Sequence, residues 1–382
     1  MKRFKKWLIY GLVASLIVMM LPLASSAAPV NVPSGEPAVS ARCAVLIDAA
    51  SGKILYGKNE NVRRGMASTT KIMTAIVALE NAPLDKLVTV APAAVGVEGS
   101  SVYLYAGEVL TMETLLYALM LQSANDAAAA IAYEIAGGIE TFAAMMNEKA
   151  AALGLTDTHF ENPHGLDSDT HYTTAYELAK ISAYALENEK FAEIVATEKK
   201  TIALHNGEAS RLLVNHNRLL RTYDDIIGVK TGFTKKCGRT LVSAAEQNGV
   251  RLICVTLDDG NDWQDHRALL DYGFSLYETE NLAAAGELSY EVPVCGGTVE
   301  SVTVTNPVGL DTALLTNHGE ITVRVELPRF LYAGVHRGDR IGTARFFADG
   351  VEIGQTGLYA TSDVPVAAAK PSFWQKILAF FR

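Results

Sequence analysis

Helical periodicity in this chain is confined to an interior block with strand-like runs on both sides, so any sheet must be closed by segments from before and after the helices. Cys43-Ala-Val-Leu-Ile-Asp48 reads as a strand, Ala49-Ala50-Ser51-Gly52 as a turn and Lys53-Ile-Leu-Tyr56 as the returning strand. A helix is predicted from near Ser68, where Ile72, Met73, Ile76 and Val77 recur at helical spacing, until Pro83 ends it. Thr111 is a good N-cap for a second helix burying Leu115, Leu116, Leu119 and Met120, and an alanine-rich helix follows Asn125 and stops at Gly137-Gly138. Helical patterns continue over 139–153 and 174–188. Strand character then returns at 226–232, 240–245 and 251–257, three short apolar runs that read as an antiparallel meander. The expected fold class is α/β (α+β): an antiparallel sheet with an inserted helical cluster.

A helix is expected over 262–277, then a linker over 278–286. Beyond it the texture changes. Val302/Val304, Ile321/Val323/Val325/Leu327 and Val351/Ile353 alternate with polar residues, which predicts a small all-β domain. A length of 382 residues accommodates these two domains. The ends differ from both. Lys2, Arg3, Lys5 and Lys6 precede an uncharged run from Trp7 to about Ala24, and Ser25-Ser26-Ala27-Ala28 precede Pro29, the pattern of a cleaved secretory signal. The alternative is an uncleaved signal anchor, since the apolar run is nearly long enough to span a bilayer. After Pro371, Phe373, Trp374, Ile377, Leu378 and Phe381 fall on one helical face, with Gln375, Lys376 and Arg382 off it. This reads as an interfacial membrane anchor too short to span, the alternative being a helix docked on the protein's own surface. The expected organisation is a signal at 1–28, a catalytic domain at 29–277, an all-β domain at 278–366 and an amphipathic anchor at 367–382.

Charge and ligand chemistry narrow the function. Lys plus Arg number 33 and Asp plus Glu 42, a formal net charge of −9, and no basic stripe with interleaved aromatics occurs, which argues against a nucleic-acid partner. Cys43, Cys237, Cys254 and Cys295 show no C-x-x-C spacing. Cys43 and Cys254 sit in apolar strand-like runs, where a buried thiol is expected, a bridge between them being the alternative if the strands are neighbours. His159, His164 and His171 fit no standard zinc spacing, so no metal and no cofactor is expected.

Three short motifs occur in order: Ser68-Thr-Thr-Lys71, Ser123-Ala-Asn125 and Lys230-Thr231-Gly232. Serine near neutral pH needs a base to act as a nucleophile, and residues three apart on a helix share a face, so Lys71 can reach Ser68. Lys71 serves as base only if burial or a second cation such as Lys230 depresses its pKa. Ser123, on an interhelical loop, can relay a proton, and the Asn125 amide can hold Lys71 or the substrate backbone, while either residue could instead simply cap the helix that follows. On a strand, Lys230 and Thr231 suit a substrate carboxylate, and Gly232 would let a ligand backbone approach. The N–H groups of Ser68 and Phe233 are the expected oxyanion donors. Each motif alone has a bland reading as a cap or a turn, and the ordered set is what carries weight.

With these residues in hand, the chain resembles the D-alanyl-D-alanine carboxypeptidases of the low-molecular-mass penicillin-binding proteins, peptidase family S11, over almost its whole length. The motif set is the signature shared by serine β-lactamases and penicillin-binding proteins. Ala67-Ser68-Thr-Thr-Lys71-Ile-Met-Thr74, Leu121-Gln-Ser123-Ala-Asn125-Asp126 and Gly228-Val-Lys230-Thr231-Gly232-Phe233-Thr234 carry the likeness, with Met146-Asn147 and Asn162-Pro-His164-Gly-Leu166 as framework. The resemblance implies a serine β-lactamase/transpeptidase-like catalytic domain and removal of the terminal D-alanine from peptidoglycan stem pentapeptides. It further implies Ser68 as nucleophile, Lys71 as base, β-lactams as acylating inhibitors, and residence at the outer face of the bacterial cytoplasmic membrane. Three departures stand out. Met66 precedes Ala67 where many relatives carry proline, Cys237 occupies a turn position often filled by alanine, and 261–265 lacks the arginine that relatives often use for the substrate carboxylate, leaving Arg239 or Arg267 as candidates. Among rivals, a class A β-lactamase would ordinarily carry S-D-N and a deacylating glutamate, whereas position 124 is alanine and no E-x-x-L-N lies between Asn125 and Lys230. A DD-endopeptidase acting on cross-links is closer. A catalytically idle wall-binding scaffold would have no need for all three motifs.

Overall fold

The computed structural model describes residues 17–22, 35–204 and 209–368. They form two compact units, divided between Leu276 and Tyr277, with the strand β1 (Ile17–Pro22) belonging to the second. The basic head and cleavage site of the expected signal, and all but the first two residues of the expected anchor, lie outside the described residues. Among the described residues no helix is long and apolar enough to cross a membrane.

The first unit opens with the hairpin β2 (Cys43–Asp48) and β3 (Ile54–Lys58). Its helices are α1 (Lys71–Asn81), α2 (Met112–Leu121), α3 (Asn125–Ala136), α4 (Ile139–Ala152), α5 (Ala175–Leu186) and α6 (Glu189–Ala196). Two small ribbons accompany them: β4 (Leu87–Thr89) with β5 (Val109–Thr111), and β6 (Lys199–Leu204) with β7 (Ala209–Val214). The meander β8 (Ile226–Thr234), β9 (Gly238–Gln247) and β10 (Val250–Leu257) precedes α7 (Asp262–Ser275). The antiparallel sheet runs β3-β2-β10-β9-β8, so the hairpin before the helices pairs with the strand that ends the meander, as the sequence pattern requires.

Local chemistry sets the helix ends. Thr111 and Thr174 accept N–H bonds from Thr114 and Glu177 as N-caps, and Gly137 closes α3 at φ 74°, a left-handed conformation that costs glycine least. Ala127 to Ala130 and Ala132 are all buried, and these small side chains let α1, α2 and α4 pack closely on α3. β10 is buried on both faces. Ile253 and Val255 join Val45 and Ile47 in the helical core, while Leu252 and Leu46 meet α7. There a Cβ on Gly273 would stand only 2.5 Å from Leu46 and 2.6 Å from Leu252.

The second unit contains β11 (Tyr277–Ala283), β12 (Ser289–Cys295), β13 (Ser301–Thr305), β14 (Leu310–Leu315), β15 (Ile321–Leu327), β16 (Leu331–Tyr332), β17 (Arg340–Ala348) and β18 (Val351–Ala360). One sheet runs β1-β15-β17-β18-β13-β12-β16, and β11 pairs with β14. Its core includes Val292, Val304, Val323, Phe346 and Leu358.

Three local expectations change. The stretch read as a linker is β11, held by pairing to β14 that a local pattern cannot reveal. The helix read from Ser68 starts as a 3₁₀ turn over Ala67–Thr70, with α1 proper beginning at Lys71. Cys43 and Cys254 do lie on neighbouring strands, but Cys43 faces Leu257 and Cys254 faces Leu46, and all four cysteines are free thiols.

Candidate active site

Ser68 is presented by a turn that its neighbours pin from several sides. Ala67 takes φ 47°, a left-handed conformation costly for a residue with a Cβ. Thr69 Oγ1 donates to Met66 O (2.6 Å), Thr70 Oγ1 to Ala67 O (2.7 Å) and Thr240 Oγ1 to Met66 O (3.0 Å). Thr70 Oγ1 also meets His171 Nε2 at 2.7 Å. Two glycines admit flanking segments. A Cβ on Gly165 would fall 1.9 Å from Ala67 O, and one on Gly232 would fall 2.9 Å from Ser68 N. Gly232 was expected to make room for a ligand. Instead the space beside it is filled by the nucleophile turn and by Thr240.

Lys71 is fully buried, and its Nζ lies 2.9 Å from Ser68 Oγ, 2.7 Å from Asn125 Oδ1 and 2.6 Å from the His164 carbonyl. Burial drives its pKa well below the ordinary lysine value; the charge of Lys230 adds to the effect and Asp126 opposes it. A neutral amine has two N–H groups and a lone pair. The Asn125 amide oxygen and the His164 carbonyl only accept, so they take the two N–H groups and the lone pair is left for the Ser68 hydroxyl proton.

Asn125 does not cap α3. Its Oδ1 holds Lys71, its Nδ2 donates to Glu98 O, and Ala124 occupies the cap position without a side-chain bond. The Asp126 carboxylate beside it accepts from Ser101 Oγ, Val102 N and Leu104 N, fixing the loop that carries Ser100. Ser123 sits at φ 57°, and its Oγ is buried with no hydrogen-bond partner among the described residues. Strain together with an orphaned hydroxyl at one residue marks a position kept for something other than stability.

On β8, Lys230 is 1% exposed, its Nζ donates to Thr231 O (2.8 Å), and burial lowers its pKa to about 7. It therefore lies beneath the cleft, and its direct effect is on Lys71. The cleft itself, about 320 Å³, is walled by Ser68, Ser100, Ser123, Thr231, Phe233 and, at one end, Arg239 and Trp263. Arg239 donates to the buried Asp262 carboxylate through Nε (3.0 Å) and through one terminal nitrogen, Nη2 (2.7 and 2.9 Å to the two oxygens), while its own side chain stays 43% exposed. Arg267 is committed to Asp225 and Asp271 and borders a different hollow, beyond Trp263. Of the two arginines considered from sequence, Arg239 is the one in the cleft.

Sequence reasoning missed the His164 carbonyl, Ser100, Trp263 and His216. His216 reaches the cleft because Asn215 and Asn217 on either side of it are buried clamps, the first on Val195 O and Thr197 O, the second on Gly228 O. Asn-His-Asn directly after an apolar run was the available signal. His159, His164 and His171 are engaged separately, His159 with Thr170 O and His171 with Thr70 and Glu161 N, and burial lowers the pKa of His164 to about 3 and of His171 to about 4.

A serine whose hydroxyl faces a buried lysine, beside an unpartnered second serine and an edge strand carrying Lys-Thr-Gly, defines a serine–lysine acyl-transfer site on a sheet-and-helix scaffold. The profile of the D-alanyl-D-alanine carboxypeptidases matches residues 30–261, and that of the penicillin-binding protein 5 C-terminal domain matches residues 277–366. The chain belongs to the D-alanyl-D-alanine carboxypeptidase family. It is 31% identical to the D-alanyl-D-alanine carboxypeptidase DacF of Bacillus subtilis over 87% of this chain and 88% of that one. It is 36% identical to DacB2 of Mycobacterium tuberculosis over 65% of this chain and 86% of that one. Among solved structures, penicillin-binding protein 5 of Haemophilus influenzae is similar with a TM-score of 0.62 and 28% identity, covering 87% of this chain and 99% of the other. The DD-transpeptidase of Streptomyces K15 is similar with a TM-score of 0.60 and 34% identity, covering 63% and 100%.

Proposed function

We propose that this serine-type D-alanyl-D-alanine carboxypeptidase removes the terminal D-alanine from peptidoglycan stem pentapeptides through an acyl-enzyme on Ser68. The observation that carries the mechanism is the Ser68 Oγ–Lys71 Nζ contact of 2.9 Å with the other two lysine sites filled by acceptors. Lys71 Nζ takes the hydroxyl proton as Oγ attacks the penultimate D-alanine carbonyl carbon. The oxyanion is received by the N–H groups of Ser68 and Phe233. The C–N bond then breaks, and the leaving amine takes its proton from Lys71 by way of the Ser123 hydroxyl, whose unpartnered position suits a relay. Water next attacks the ester carbon, giving its proton to Lys71; the bond to Ser68 Oγ then breaks, Lys71 returns the proton to Oγ, and the tetrapeptide leaves. Thr231 and the exposed edge of Arg239 take the terminal carboxylate; Lys230, sealed below, tunes Lys71.

A β-lactam opens on Ser68 in the same way, but its amine stays tethered, so the ester blocks the site. The first 28 residues direct export and are removed, β1 with them, so that β15 becomes an edge strand of its sheet in the mature enzyme. Residues 367–382 hold the enzyme peripherally at the outer face of the cytoplasmic membrane, where the peptidoglycan substrate lies.

The test is intact-mass measurement after reaction with fluorescent penicillin, followed by peptide mapping. One adduct on Ser68, absent in Ser68→Ala, is expected, together with D-alanine release from pentapeptides outpacing cleavage of cross-linked muropeptides assayed in parallel. Adducts elsewhere, or rapid turnover of benzylpenicillin, would overturn the mechanism.

A further inference from the structure

The second unit exposes aromatic and aliphatic side chains where the described chain ends. Tyr332 and Val366 are each 68% exposed and Phe330 41%. The Phe330 and Tyr332 rings meet edge to face with centroids 5.4 Å apart. Tyr332 on β16 pairs with Cys295 of β12, and one residue further on Gly296 O accepts from Ala367 N (2.8 Å). Val366 bridges Gly297, and Val364 bridges Val335. The last described segment therefore runs alongside both the turn after β12 and the stretch after β16, so the aromatic pair flanks the point where the chain leaves the unit.

What leaves is a sequence of fixed character. Residues 369–382 carry Lys370, Lys376 and Arg382, no acidic residue, and Phe373, Trp374, Ile377, Leu378 and Phe381 at helical spacing. A short cationic segment of this kind lies in the headgroup region of an anionic bilayer, and the amphipathic ring of tyrosine favours the same depth. A contiguous solvent-facing cluster of apolar side chains of this kind marks an interaction surface.

We infer that Phe330, Tyr332 and Val366 form a second lipid-contacting patch, which enters the bilayer interface beside the tail and fixes the tilt of the β unit on the membrane. This rests on the reading of 369–382 as an anchor, and the patch adds a contact that does not depend on the tail's sequence.

The experiment uses the chain from Pro29 onward, vesicles of phosphatidylethanolamine with phosphatidylglycerol, and co-sedimentation. In parallel, a polarity-sensitive fluorophore is placed on the exposed Cys295 in a Cys237→Ala background. Vesicle binding that is lost on deleting 369–382, is weakened roughly tenfold by Phe330→Ser with Tyr332→Ser, and blue-shifts the label supports the patch. Tail-dependent binding that is unchanged in the double variant, with no blue shift, overturns the patch and leaves the anchor standing. No binding by the intact chain overturns both. A blue shift without vesicles that disappears with the tail assigns the patch to the protein's own tail, and self-association lost in the double variant assigns it to a second copy. Either outcome overturns the lipid assignment.

Discussion

Gly232→Ala is the sharpest probe of how the strand and the nucleophile turn depend on each other. A methyl group at this position would stand 2.4 Å from Thr240 Oγ1, 2.9 Å from Ser68 N and 3.2 Å from Ala67 Cβ. Ordinary contact begins near 3.4 Å, so the Ser68 approach is about 0.5 Å too close and the Thr240 approach about 1 Å. Neither neighbour is the loose end of a flexible side chain. Ser68 N is backbone, and Thr240 Oγ1 is tied to Met66 O in the same turn. The Ser68 and Ala67 approaches are relieved by moving the turn off the strand, and the Thr240 approach, across the β8–β9 pair, by turning its hydroxyl off Met66 O. Both loosen the turn and carry Ser68 Oγ away from the Lys71 amine and its N–H away from the oxyanion position. A misplacement of about 1 Å costs about 10²-fold, so a shift of half that to the full amount slows acylation roughly 10- to 100-fold. The overpacking itself costs about 1–3 kcal/mol of stability.

The assay is the rate of Ser68 acylation by benzylpenicillin, with thermal unfolding alongside and Gly260→Ala as the control, since a Cβ there meets nothing within 4 Å. The control should match the parent in both measurements. Gly232→Ala acylating within about threefold of the parent rate, at unchanged melting temperature, would refute the claim that this glycine exists to seat the nucleophile turn.

Two further variants address the lysine pair. Burial lowers the Lys230 pKa from 10.5 to about 7, so between those values the unfolded chain binds more protons than the folded one and stability rises with pH. Lys230→Met should therefore raise the urea midpoint at pH 6, with the gain over the parent shrinking as pH climbs from about 7 toward 10; a gain independent of pH would contradict the burial argument. The same variant removes a positive neighbour of Lys71, so the rise of the acylation rate with pH should move to higher pH. Asn125→Asp places a carboxylate where Oδ1 now lies 2.7 Å from Lys71 Nζ, which favours the ammonium form. Acylation at neutral pH should fall by roughly 10²-fold and partly recover in alkali. A pH profile parallel to that of the parent would show that Asn125 acts by geometry alone.

What could be read from sequence was what repeats locally or pairs type with type. The helical stretches, the alanine-rich α3 with its glycine stop, the three-strand meander and the two bounding halves of the sheet all follow from periodicity and capping residues, because those forces act within a few residues. The motifs named side chains but misassigned some of their neighbours. The third partner of Lys71 is the His164 carbonyl, and a backbone oxygen has no residue type to betray it. Gly232 read as a glycine making room for a ligand and Gly165 only as part of a framework motif, yet each answers to an atom far away in sequence that only the folded chain brings near. β11 read as a linker for the same reason, since its strand character lies in the pairing with β14. Lys230 read as a carboxylate clamp, and nothing in Lys-Thr-Gly reveals that its ammonium is sealed below the strand.

That burial decides how the site works. Two lysines within one core, neither with a carboxylate hydrogen-bonded to it, cannot both stay charged without a desolvation cost of several kcal/mol. The carboxylate whose charge opposes the shift at Lys71, Asp126, is held by Ser101, Val102 and Leu104 and makes no hydrogen bond to the lysine. Were Asp126 free to pair, Lys71 would hold its proton and the Ser68 hydroxyl would have no lone pair to face. The loop that Asp126 ties down thus has two effects: it brings Ser100 to the cleft wall, and it keeps the Asp126 carboxylate engaged away from Lys71, so that burial and the charge of Lys230 prevail there. In the proposed mechanism a lysine replaces histidine as the base because it is buried with no carboxylate hydrogen-bonded to it.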